Sequence, residues 1–176
     1  TSNATETEKF VEGKKKKAGI SSSGMNVLHI YRAEKVNDSW KHITELNVNS
    51  EEYNCAFPSL SADGKTLYFS SDMPGGFGGF DLYMSTLTND GKWSAPKNLG
   101  TTVNTDRDEF YPYVYGDKFY FSSRGLPGFG GADIYEADLK EGMPGNARNM
   151  GKPFNSPKDD FSFIMSTTGK AGYFSS

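Results

Sequence analysis

Phe57-Pro58-Ser59-Leu60-Ser61-Ala62-Asp63-Gly64-Lys65-Thr66-Leu67-Tyr68-Phe69-Ser70-Ser71 runs on through Pro74-Gly75-Gly76-Phe77-Gly78-Gly79 to Asp81-Leu82-Tyr83. The same text returns downstream. Tyr68-Phe69-Ser70-Ser71 reappears as Tyr120-Phe121-Ser122-Ser123 and as Tyr173-Phe174-Ser175-Ser176, in steps of 52 and 53 residues. The second copy also carries Tyr111-Pro112, Gly116-Asp117, Pro127-Gly128-Phe129-Gly130-Gly131, Asp133-Ile134-Tyr135 and Asn149-Met150-Gly151. The third copy begins at Phe161 and reaches Ser176. Upstream, His29-Ile30-Tyr31 lies 52 residues before Asp81-Leu82-Tyr83, and Trp40 lies 53 before Trp93. A period of this size sets the architecture before any single residue is weighed.

Each unit reads as four short strands. Residues 57–61 end at Ala62-Asp63-Gly64, a tight-turn signal. Residues 66–71 are aromatic and hydroxyl-rich, which suits a pleated surface. Pro74 to Gly79 cannot continue a strand, because its glycines favour loop dihedrals. Residues 80–86 alternate Phe80, Leu82 and Met84 with Asp81, Tyr83 and Ser85, a period of two. Asn89-Asp90-Gly91 is a turn, and residues 93–99 make a weaker fourth strand. The first, partial unit is expected to hold strands near 27–31 and 40–46. No stretch sustains a helical period.

Four strands in roughly 40–50 residues is the arithmetic of a propeller blade. The fold class expected is therefore all-β: a β-propeller, or part of one, with antiparallel four-stranded blades. The motif strings quoted above resemble the TolB-type (WD-like) β-propeller repeat over roughly residues 17–176. They are most similar to the version carried by envelope proteins of Bacteroidetes-type bacteria that also have an OmpA-like peptidoglycan-binding domain. The resemblance implies a periplasmic interaction module, tethered to the outer membrane or peptidoglycan by other domains. Such proteins are similar to the peptidoglycan-associating component of the type IX secretion machinery.

Residues 1–16 read as a lead-in, with Ser2-Asn3-Ala4 resembling a remnant of tag removal. Two full units and two partial ones do not close a ring of four to eight blades. Either the sequence is a piece of a longer propeller, or two chains share mixed blades in a six-bladed ring. The tail offers a blade's first two strands and the head its last two.

Net charge is −3, which argues against a basic nucleic-acid surface. Lys14 to Lys17 read as a solvated run or as guards on a strand edge. Cys55 is the only cysteine, so no intrachain disulfide forms, and it reads as a small buried hydrophobe. No apolar run is long enough for a membrane-spanning helix. Hydropathy gives no secretory signal peptide either.

Asp81-Leu82-Tyr83 and Asp133-Ile134-Tyr135 recur in phase. Their aspartates are expected to accept hydrogen bonds from loop N–H groups or from Ser70/Ser71 and Ser122/Ser123, with Tyr83 and Tyr135 as structural repeat residues. The Gly-rich loops lack a following helix and the lysine of a phosphate-binding loop. They read as hairpin connections, with Phe77 and Phe129 tucked back onto the blade.

The strongest site candidate is acidic. Glu51-Glu52, Asp106, Asp108-Glu109 and Asp159-Asp160 each precede an innermost strand, where they would rim one mouth of the central channel. Arg107, Arg124 and Lys158 stand nearby. Such a rim suits either structural ion pairs or a cationic or protein partner. The binding candidates are Asp106, Arg107, Asp108, Glu109, Asp159, Asp160 and Arg124.

Catalysis has little support. His29 and His42 are the only histidines, and no nucleophile elbow or zinc-protease helix occurs. No catalytic residue, cofactor or metal is expected, and Trp40 and Trp93 read as packing. The expected function is non-catalytic binding of an envelope protein or peptide, with peptidoglycan reached through other domains. The alternative is a propeller domain of a peptidase or glycan-processing hydrolase.

Overall fold

The computed structural model describes residues 27–176; the lead-in and the lysine run lie outside the described residues. The described chain is all-β. Strands β1 (Tyr31–Val36) and β2 (Ser39–Glu45) form a hairpin. Then β3 (Cys55–Leu60), β4 (Thr66–Ser71), β5 (Asp81–Thr86) and β6 (Lys97–Asn98) form one antiparallel sheet in sequence order. β7 (Glu109–Tyr115), β8 (Lys118–Ser123) and β9 (Asp133–Lys140) form the next sheet, joined by the short β10 (Met143–Pro144) and β11 (Arg148–Asn149) on β9. β12 (Phe161–Met165) and β13 (Gly172–Ser175) close the series. The chain thus carries two complete blades between two half-blades.

The second and third strands fall where the period places them. Three differences are local. The strand expected near 27–31 lies at Tyr31–Val36 instead. The innermost strand starts at Cys55, two residues earlier than the turn-bounded reading. The fourth strand shrinks from the expected 93–99 to Lys97–Asn98, preceded by a single bridge between Leu87 and Trp93. Pro96 has no N–H to continue that ladder. The Ser85 hydroxyl instead donates to the Ser94 carbonyl at 2.6 Å.

A blade has two faces, and both are covered. Leu67 and Phe69 of β4 join Ile30, Val48, Cys55 and Tyr83 on the side of the first hairpin. Tyr68, between them, turns to the other side and joins Phe119, Phe121 and Tyr135 of the next blade. Period two therefore sends alternate side chains into different inter-blade cores. Tyr120 repeats the arrangement against Phe163 of β12, with ring centroids 4.8 Å apart. The Tyr68 hydroxyl crosses the seam and donates to the Gly142 carbonyl at 2.9 Å.

Each seam is also clamped by an asparagine that no turn or strand signal marked. Asn104 accepts the Leu82 N–H at 2.8 Å and donates to the Leu82 carbonyl at 3.0 Å. Asn155 does the same to Ile134, and Asn49 to Ile30. Each of these asparagines sits in the connection leading into the next blade, so one side chain ties consecutive sheets through main-chain atoms.

Asn104 is buried. Replacing it with Ala leaves the Leu82 N–H without its partner, a loss of about 1–3 kcal/mol. Urea unfolding of Asn104→Ala is expected to show a lowered midpoint, while Asn89→Ala on an exposed turn leaves the midpoint unchanged.

Candidate functional site

The three innermost strands share an irregularity. The register slips between Ala56 and Ser59 in β3, between Phe110 and Tyr113 in β7, and between Phe161 and Ile164 in β12. At each slip one non-glycine residue has positive φ: Phe57 at 53°, Tyr111 at 54° and Ser162 at 63°. Bulky residues rarely adopt this region. A bulge sets two residues against one and re-aims a side chain, and such strain persists only where the surroundings hold it.

The consequence is an aromatic ledge across the blades. The Phe57 and Tyr111 rings lie 4.2 Å apart, and Tyr111 stacks on Phe161 at 5.5 Å with 15° between planes. Phe110 meets Tyr111 edge-on at 5.4 Å. The Arg124 guanidinium lies 5.7 Å from the Phe110 centroid, within cation–π range. Arg124 also binds Asp159 through both of its terminal nitrogens, at 3.2 and 3.1 Å. The ledge, Leu28, Asn54, Phe80, Asp108, Arg124 and Asp159 enclose an open cavity of about 650 Å³.

Of the acidic rim expected from sequence, the structure brings Asp108, Asp159 and Arg124 to this cavity. Asp106 and Arg107 are exposed on the adjoining loop and do not line it. Glu51 and Glu52 are exposed and also lie outside the lining. Glu109 and Asp160 are corrected outright, because both are 0% exposed. The Glu109 carboxylate accepts the Thr105 N–H at 2.8 Å, the Thr105 hydroxyl at 2.7 Å and the Ser123 hydroxyl at 2.6 Å. Asp160 accepts the Ser156 N–H at 2.6 Å and its hydroxyl at 3.2 Å. Strand alternation explains the split: neighbours Asp108 and Glu109 face opposite sides. Cys55 fills the same place in the first full blade, bonded to the Val48 carbonyl, and burial pushes its thiol up to about 11.

The Gly-rich loops build the wall beside the cavity. The Gly79 N–H donates to the Arg107 carbonyl at 2.9 Å, and the Gly131 N–H to that of Lys158 at 3.2 Å. A side chain at Gly78 or Gly130 would collide with that backbone. Asp81 accepts the Phe77 N–H at 2.5 Å and the Asn98 amide at 2.9 Å; Asp133 accepts the Phe129 N–H at 2.9 Å. These aspartates are buried and hold loop backbone. The Ser70 and Ser122 hydroxyls, named as alternative donors, have no partner among the described residues. The rings of Phe77 and Phe129 do not tuck back: each is 51% exposed. At the first, irregular unit His29 takes the aspartate's place and reaches the Ser50 carbonyl and Glu45. Tyr83 and Tyr135 are buried in their seams.

Among the described residues no group of three metal-ligating side chains occurs, and no helix is long and apolar enough to cross a membrane. Hydrogen bonds from Ala132 N–H and Arg124 hold the Asp159 carboxyl below its usual value, so it stays ionised. Burial raises the Glu109 carboxyl above its usual 4.5. A raised carboxyl pKa favours the folded state at low pH, and that advantage is lost as pH climbs from 4.5 through the folded value. Glu109→Gln removes the titration. Measured by urea unfolding, its stability relative to the parent is expected to rise between about pH 4 and pH 7.

No protein-family model and no curated protein matches this chain. Solved structures do. TolB from Acinetobacter baumannii superposes with a TM-score of 0.53 at 18% identity, over 83% of this chain and 31% of that one. An α-L-arabinofuranosidase from Lactobacillus brevis superposes with a TM-score of 0.51 at 13% identity, over 87% of this chain and 56% of that one. The chain thus spans about a third to a half of the propellers it matches. With the blades described above, these likenesses establish a β-propeller fold.

Proposed function

We propose that the chain is a non-catalytic binding module of a cell-envelope protein, seating a protein or peptide partner on the aromatic ledge. The observation that carries this is the ledge itself. Three strained bulges place Phe57 and Tyr111 beside Phe161, Asp108 and the Arg124–Asp159 pair, around an open cavity. Aromatic faces with a few fixed polar groups are what recognition sites use. The likeness in fold to TolB supports a periplasmic setting, and the repeat strings support a peptidoglycan-associated protein of the type IX secretion class.

A glycan-processing role fits the same cavity less well. Glycoside hydrolysis needs a carboxylic acid that keeps its proton near neutral pH, beside a second carboxylate. In the cavity Asp159 is held ionised by the Ala132 N–H and by Arg124. The carboxyl that burial does raise, Glu109, is sealed behind Thr105 and Ser123.

Immobilised protein exposed to solubilised envelope and to peptidoglycan sacculi tests the reading. A retained envelope component is expected, and its retention should fall at least about tenfold with Tyr111→Ala or Asp108→Ala. Release of sugar or peptide from those substrates by the purified chain would refute it, as would retention that neither substitution changes.

A further inference from the structure

The seam between the second complete blade and β12 carries its own cation. Arg124 leaves β8 with its N–H on the Asp108 carbonyl at 2.9 Å, yet its guanidinium reaches forward to the next blade. There it meets both oxygens of Asp159, at 3.2 and 3.1 Å, and lies 5.7 Å from the Phe110 centroid. Oδ1 of Asp159 also accepts the Ala132 N–H at 2.8 Å. A carboxylate held by one main-chain N–H, an aromatic ring and a guanidinium thus make one assembly.

The seam between the two complete blades repeats this assembly without the guanidinium. Asp108 stands in phase with Asp159, and its Oδ1 accepts the Phe80 N–H at 3.0 Å. Phe80 replaces Ala132 and Ala56 replaces Phe110, so a ring still lines the cavity beside the carboxylate. The residue in phase with Arg124 is Asp72. It turns back to Asn54 of its own blade, accepting that residue's N–H at 2.6 Å and its amide at 2.7 Å. Oδ2 of Asp108 therefore has no partner among the described residues. In the cavity lining one cation, Arg124, faces the two carboxylates of Asp108 and Asp159, which leaves one negative charge unbalanced.

We infer that the Asp108 seam receives the guanidinium of an arginine side chain on the partner peptide, an inference that rests on the ledge being the binding site. The chemistry of the seam selects that group. A calcium ion takes six or more oxygens, and no group of three ligating side chains occurs among the described residues. An ammonium is compact and strongly hydrated, so one accepting oxygen beside apolar rings replaces its water poorly. A guanidinium is weakly hydrated and planar, and it lies on ring faces while its edge donates to a carboxylate. Phe57, Phe80 and Tyr111 offer the faces and Asp108 the acceptor, within one cavity of about 650 Å³. Arg124 already occupies the following seam in this way.

Three blocked glycine pentapeptides, with a central arginine, lysine or citrulline, test this by NMR titration of the protein. The arginine peptide is expected to bind once per chain, with a dissociation constant at least about tenfold below those of the other two. Asp108→Asn should raise that constant at least about tenfold. It should leave the urea midpoint unchanged, since the Asn54 amide oxygen makes the equivalent seam bond to the Leu28 N–H at 2.8 Å. Arg124→Ala should raise the stoichiometry to two, because it frees the Asp159 carboxylate. Equal affinity for the three peptides overturns the inference. So does arginine binding that Asp108→Asn leaves unchanged, or a stoichiometry that Arg124→Ala leaves at one. The retained envelope component separates this inference from the binding module itself. Retention that is lost with Tyr111→Ala but kept with Asp108→Asn leaves the module standing and overturns the guanidinium site.

Discussion

Among the described residues, no blade has a core of its own. A four-stranded sheet one layer thick has two faces, and each face is apolar. Leu67 and Phe69 need the sheet before them, and Tyr68 needs the sheet after. Stability therefore resides in seams, and every other repeated feature serves to bring the next sheet to the right distance. Asn104 and Asn155 bridge main chain to main chain. Gly78 and Gly130 let one loop approach the next blade's backbone. Asp81 and Asp133 fix those loops from within.

This constraint explains what sequence could and could not disclose. The second and third strands were legible because burial on both faces demands unbroken, similar text in each copy. The fourth strand was overread, since Pro96 and the Ser85–Ser94 hydrogen bond end the ladder that the residue types suggest. The bulges at Phe57 and Tyr111 were invisible, because positive φ is normally signalled by Gly or Asn and here falls on aromatic residues. The ledge was missed for that reason, although the Phe57-Pro58 and Tyr111-Pro112 pairs stand in phase. The acidic rim reads as one set because each of its members stands just before an innermost strand. Alternation divides them, leaving Asp108 and Asp159 at the cavity and hiding Glu109 and Asp160. The Phe77 and Phe129 rings stay in solvent because it is their N–H groups, not their side chains, that the blade holds.

The same constraint separates scaffold from function within one residue position. Asn54, Asp108 and Asp159 stand in phase, and each uses Oδ1 to accept a main-chain N–H, from Leu28, Phe80 and Ala132 at 2.8, 3.0 and 2.8 Å. That bond belongs to the fold. The second side-chain atom differs in every copy. In Asn54 it is an amide that donates to Asp72 at 2.7 Å. In Asp159 it is an oxygen held by Arg124 at 3.1 Å. In Asp108 it is an oxygen with no hydrogen-bond partner among the described residues. One oxygen thus builds the seam, and the other sets the local charge of the cavity wall. Going along the chain the wall runs from an amide to a carboxylate with no ion-pair partner among the described residues to a neutralised ion pair, while the bulge residue changes from Phe57 to Tyr111 to Ser162. The repeat thus keeps its main-chain contacts constant and varies the charge of the wall from copy to copy.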